Sequence, residues 1–169
     1  MSAFHARKTD DTDSFFRAFC MDAAVKADGY DAVSFGHTEK EADELLELAL
    51  LGLKRATSSL AKDYATGTPK LPAVGDHVVA CDGRNKPRFV WRTTEIAVKA
   101  FNAVDDSFAF DYGEGERTRA WWLEHIGREY AAEAAAKGFA MTDTTPIVFE
   151  RFTIVWPRLF ADGPKRLAF

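Results

Sequence analysis

The sequence predicts an α+β fold, a small, partly open β-barrel wrapped by helices, and three observations lead there. Two segments of helical period open the chain, several short β-rich runs follow, and one long helical segment is inserted before a closing strand. At 169 residues, 47% of them apolar and 13% aromatic, the chain has the length and the core material of one domain. No internal repeat and no Gly- or Ser-rich linker divides it. The expected organisation is residues 1–32 as a helical extension packed on the same domain, 33–157 as the domain proper, and 158–169 as a tail that folds back or frays.

The first helix begins near Thr12 and Asp13, either of which can cap orphan amides. It carries Phe15, Phe16, Phe19, Cys20 and Ala23 on one stripe until Asp28-Gly29. The second helix has the clearest signals. Thr38 and Glu41 form a capping box, Ala42, Leu45, Leu46, Ala49 and Leu50 share one face, and Gly52 stands where left-handed backbone ends a helix. Residues 56–60 are small and β-tolerant. Val74-Gly75-Asp76 turns into a strand over 77–81, residues 82–87 connect a hairpin, and a long strand follows over 89–98. A short strand or loop around Phe101 leads to Phe108-Ala109-Phe110, and Gly113-Glu114-Gly115-Glu116 reads as a flexible acidic turn. A helix from about Thr118 runs through Trp121, Trp122, His125 and Tyr130 to Ala136, closed by Lys137-Gly138. A last strand over 147–156 precedes Pro157.

Composition excludes several classes of function. With 22 basic and 26 acidic residues the net charge is −4, the wrong sign for coating long duplex DNA or RNA. A local pocket for one nucleotide or nucleoside remains open. Cys20 and Cys81 make no CxxC pair, and His5, His37, His77 and His125 show neither HExxH nor HxH spacing, so no metal and no cofactor is expected. No apolar run approaches the ~20 residues that span a bilayer, and the N-terminus lacks a signal-peptide core. The expectation is a cytoplasmic protein with reduced thiols and no membrane partner.

Chemistry concentrates at Gly52-Leu53-Lys54-Arg55-Ala56-Thr57. A cation near a helix C-terminus and a threonine entering a strand have an ordinary structural explanation. The functional alternative is that Lys54 and Thr57 line one pocket, where a desolvated amine activates the hydroxyl. Glu150 and Arg151 alternate faces on the last strand, and at least one is expected to be a buried ion partner.

The spacing Gly52-x-Lys54-x-Ala56-Thr57 after a leucine-rich helix resembles the signature of the ASCH domain family, whose fold is a PUA-like mixed β-barrel. Further matches lie in Phe35-Gly36, Ala42-Asp43-Glu44-Leu45, the run from Leu71 to Asp76, Arg92-Thr93-Thr94-Glu95-Ile96, the acidic 113–116 segment, the Trp-rich helix and Val148-Phe149-Glu150-Arg151-Phe152. Together they cover roughly residues 33–157 and point to the larger bacterial branch. The resemblance implies handling of RNA or of a modified nucleoside, by binding, by ribonuclease action, or by hydrolysis of N4-acetylcytidine. It implies Lys54 and Thr57 as catalytic, with a carboxylate as third member. Tyr112 occupies the position where a glutamate is expected; Asp111, one residue earlier, and Glu114, two residues on, are the two substitutes, and Glu114 is the one taken as third member. Lys54 would deprotonate Thr57, and Glu114 would protonate the leaving amine. Arg55, Ser58, Tyr64, Tyr112 and Trp122 are the expected substrate contacts. The competing expectation is a non-catalytic RNA-binding regulatory module, in which rings stack on unpaired bases. The oligomeric state is left open.

Overall fold

The computed structural model describes residues 3–163. Strands β1 (Ala3–His5), β2 (Asp31–Phe35), β3 (Ala56–Leu60), β4 (His77–Cys81), β5 (Pro87–Ala100) and β6 (Pro146–Trp156) form one mixed sheet in the order β1-β2-β4-β5-β6-β3. β2 and β4 run parallel, and every other neighbouring pair is antiparallel. Helices α1 (Asp10–Asp22), α2 (Glu39–Leu50), α3 (Asp106–Tyr112) and α4 (Arg119–Ala136) pack around it. The architecture is the α+β half-barrel that the sequence predicts.

Strict alternation along the strands sorts side chains to the two faces. Val33, Phe35, Val78, Ala80, Phe89, Trp91, Phe152 and Ile154 fill the concave side, where Leu45, Leu46 and Ala49 of α2 plug one end. The stacked Trp91 and Phe152 rings, 4.4 Å apart, form its centre. Val79, Cys81 and Val90 face the other way onto Phe16 and Phe19 of α1. Ala56, Leu60, Ile147 and Phe149 pack on α3 and α4 through Phe108, Tyr112, Trp122 and Tyr130. Three clusters therefore clamp the sheet, and the concave end opposite α2 stays open.

The helix signals hold where they are local. Thr38 and Glu41 cap α2 reciprocally, Gly52 takes φ +84°, Thr118 caps α4, and Gly138 follows it at φ +79°. Two expectations are corrected. Helix α1 is capped by Thr9 and stops at Asp22, not at Asp28-Gly29. Ala24 adopts φ +52° there, and the Val25 amide returns to the Cys20 carbonyl. The short strand or loop expected around Phe101 is a 3₁₀ turn over Phe101–Ala103, and residues 106–112 beyond it are helix α3. Asp105 accepts the Phe108 amide, and Phe108, Ala109 and Tyr112 are drawn inward to meet α4 while Phe110 stays exposed. The tail folds back as far as it is described: Asp162 accepts hydrogen bonds from Arg55, the Thr153 hydroxyl and the Ile154 amide. Among the described residues no helix is long and apolar enough to cross a membrane.

Candidate functional site

The open end of the half-barrel is a funnel. Its mouth, a cavity of about 480 Å³, is lined by residues 26–31, Lys70, Gly75, Asp76 and His77. It adjoins a cleft of about 40 Å³ bounded by β2, β3, β4, β5 and β6, and Asp31, Lys70 and Asp76 line both spaces. The cleft has room for about three water-sized groups, enough for one edge of a ligand whose body remains in the mouth.

Thr57 and Glu150 are direct partners across β3 and β6, so their side chains leave the sheet on the same face and both line the cleft. Thr57 is 3% exposed, and its Oγ1 has no hydrogen-bond partner; the buried Trp91 Nε1, also in the cleft lining, has none either. Each such orphan costs about 1–3 kcal/mol, and two of them in one cleft single it out. The Thr93 hydroxyl donates to one Glu150 carboxyl oxygen at 2.6 Å. Burial, with Asp76 and Asp31 adding to it, pushes the Glu150 pKa up to about 7. The Thr93 hydroxyl opposes that rise, as does the Trp91 indole, which lies near the carboxyl but outside hydrogen-bond geometry. At the rim, the Tyr64 and Ser59 hydroxyls meet at 2.8 Å, and Lys70 Nζ lies 3.8 Å from Asp76. Burial and then Arg92 hold the His77 pKa below that of a free imidazole.

Lys54 sits apart from this lining. The end of α2 delivers it wholly buried, with Nζ donating to Glu114 Oε1 at 2.7 Å and to the Tyr112 carbonyl at 3.1 Å, 3.9 Å from the centre of the Tyr112 ring. Burial draws the lysine pKa down, against the pull of Glu114. Burial would raise the Glu114 pKa, but the ammonium beside it holds the carboxyl below its ordinary value. Segment 113–116 is accordingly not the flexible turn that its composition suggests. A Cβ on Gly113 (φ +78°) would lie 2.4 Å from the Leu53 carbonyl oxygen, and one on Gly115 (φ +53°) would lie 2.0 Å from the Trp121 ring. The loop is pressed against its neighbours, and Glu114 is only 6% exposed.

The remaining candidates divide. Thr57, Ser58 and Tyr64 line the cleft. The Ser58 hydroxyl, however, is engaged with Tyr130 at 2.6 Å and Tyr112 at 3.3 Å on the opposite face of β3. Tyr112 thus links Lys54, through its carbonyl, to β3, through its hydroxyl. Arg55 is held by Asp162 and donates to the Ala49 carbonyl at the end of α2. Trp122 is 1% exposed among Phe101, Phe108 and Phe149, with no free face on which a base could stack. Lys54 and Glu114 come together, while the partnerless Thr57 hydroxyl is not hydrogen-bonded to Lys54.

Sequence reasoning missed Asp31, Asp76 and the cleft-facing roles of Glu150 and of the Trp91 indole N–H. Arg151, not Glu150, is the ion partner on β6, pairing with Asp111 and Glu95. The parity of Glu150 with Phe152 and Ile154 is the signal that puts it on the inner face.

Comparison with known proteins agrees with this architecture. A family model for the ASCH domain matches residues 31–156. The solved structure of an ASCH domain from Lactobacillus crispatus JV V101 is similar at a TM-score of 0.78 and 26% identity, covering 88% of this chain and 96% of that one. A crystal structure of a protein from Enterococcus faecalis V583 is similar at a TM-score of 0.78 and 25% identity, covering 86% and 88% respectively. No curated protein sequence matches the chain.

Proposed function

Since the chain belongs to the ASCH domain family, we propose that it binds an unpaired RNA base or a free nucleoside, seated with its polar edge in the cleft and its sugar in the mouth of the funnel. One observation carries this reading: a buried, partnerless Thr57 hydroxyl in the narrow cleft of about 40 Å³ that adjoins a mouth of about 480 Å³, the latter a size usual for small-ligand sites. Charge supports a base over a phosphate. Around the mouth, the carboxylates of Asp28, Asp31 and Asp76 outnumber the ammonium groups of Lys26 and Lys70. The base enters and the backbone stays outside, which agrees with a chain of net charge −4. Titration with the four common ribonucleosides and a short single-stranded oligonucleotide tests it. Thr57→Val is expected to weaken binding by roughly tenfold, in line with the loss of one buried hydrogen bond. Unchanged affinity in the variant overturns the assignment.

A second reading, hydrolysis of an acylated base or of RNA, draws on the buried Lys54–Glu114 pair. Burial makes the Lys54 amine easier to deprotonate than a free lysine, and Tyr112 connects it to β3 beside Thr57. For acyl-amide hydrolysis the free amine takes the Thr57 proton, and the Thr57 oxygen attacks the acyl carbonyl. The C–N bond breaks as that proton passes from Lys54, by way of Glu114, to the departing amine; water then cleaves the acyl-threonine ester, releasing the carboxylic acid and restoring the Thr57 hydroxyl. That requires Lys54 to leave Glu114 for a hydroxyl to which it is not bonded here. Turnover of N4-acetylcytidine or cleavage of RNA, lost in a folded Lys54→Met variant, is the expected result. Binding without any product returns the protein to a non-catalytic binding role.

A further inference from the structure

We propose that Glu150, with Thr57 and Trp91, forms the reading subsite of the funnel, and that Glu150 engages the ligand as a carboxylic acid, pairing with an uncharged heterocycle that presents a hydrogen-bond acceptor beside an N–H donor. The inference rests on the funnel reading above and adds the ligand's edge and protonation state.

The geometry supplies each part. Glu150 is 7% exposed, and its carboxyl accepts a hydrogen bond from the Thr93 hydroxyl. Thr57 and Trp91, at 3% and 1% exposure, each bring to the same cleft a polar atom that the protein does not satisfy. An indole N–H can only donate, so it calls for an acceptor on the ligand. A threonine hydroxyl adapts to either role. A protonated carboxyl offers O–H and C=O side by side, the complement of an amide, imide or amidine edge.

The groups facing Glu150 from each packed element favour the acid form. Asp31 of β2 and Asp76 of the loop before β4 are carboxylates that oppose a further negative charge. Lys70 is turned to Asp76, and Tyr64 is neutral, its pKa raised by burial. The His77 pKa on β4 is drawn below that of a free imidazole by burial and by Arg92, which disfavours a charge there. Thr57, Thr93 and Trp91 carry no charge. Among the described residues no cation is ion-paired with Glu150, and the proton that burial retains becomes the donor.

The experiment titrates wild type and Glu150→Gln with the four common ribonucleosides and with N3-methyluridine at pH 6 and pH 8.5. The glutamine keeps a donor and an acceptor but does not titrate. At least one unmodified nucleoside is expected to bind wild type about thirty-fold more weakly at pH 8.5 than at pH 6. Glu150→Gln is expected to bind it equally at both. Where uridine binds, blocking its N3–H with methyl is expected to cost tenfold or more. Binding that is independent of pH, that tightens at pH 8.5, or that keeps its pH dependence in Glu150→Gln overturns the inference and leaves the funnel reading standing. Failure of every nucleoside to saturate at either pH overturns both. A measurement on wild type alone guards against a variant that does not fold. The ¹³C titration midpoint of Glu150 should move up on saturation with ligand, and an unmoved midpoint also overturns the inference.

Discussion

Glu150 and Glu114 are both nearly sealed from water, yet their neighbours drive them in opposite directions. Among the described residues Glu150 has no ion-pair partner, and burial pushes its pKa from 4.5 up to about 7. The native state therefore binds the extra proton between those values. The stability contributed by the neutral acid is complete below about pH 4.5 and is lost as the pH climbs through 7. Glu114, held down by Lys54, behaves inversely: its contribution is present above the ordinary glutamate value and disappears as the pH falls through the folded one. Urea unfolding of wild type and Glu150→Gln at pH 5 and pH 8 checks the first statement. Relative to wild type, the variant should gain about 2–3 kcal/mol between the two pH values. A constant difference would mean that the carboxyl is solvated in the native state.

Among the elements, those set by contacts a few residues apart were legible and those set by distant partners were not. Thr38 with Glu41 at the start of α2, Thr118 at the start of α4 and Gly138 after it are short-range devices, and the chain displays them openly. The inner face of β6 follows from counting back in twos from Ile154. The end of α1 at Ala24 carried no glycine to announce it, and α3 exists because α4 and β6 receive Phe108 and Tyr112. Segment 113–116 looks like a solvated loop until the backbone of Leu53 is known to lie beneath Gly113. The cleft was illegible for the same reason. Its walls come from five separate strands and a loop, so no single stretch spells it out. The loop also provides a sharp test. Gly113→Ala places a methyl against a carbonyl in a left-handed conformation, and is expected to destabilise the protein by about 2 kcal/mol or more. Thermal unfolding reads this directly, and a silent substitution would show that the contact relaxes freely.

For the whole molecule, charge and shape bear on what it can hold. A surface with net charge −4 and a mouth edged by three carboxylates releases few counterions from a polyanion. Affinity for the short single-stranded oligonucleotide is expected to change less than twofold or so between 50 and 200 mM salt. A protein that grips six or more phosphates loses about 10³–10⁵ over the same range. Measuring a binding isotherm at both salt concentrations decides between a base seat and a backbone groove.

The order β1-β2-β4-β5-β6-β3 has one last corollary. β2 and β3 form opposite lips of the cleft, yet no hydrogen-bonded ladder joins them. A guest gripping Asp31 on one lip and Thr57 on the other acts as a clasp across that seam. Amide protons of the two lips should then exchange with solvent in step, both slowing as guest is added, and resistance to heat should climb with its concentration.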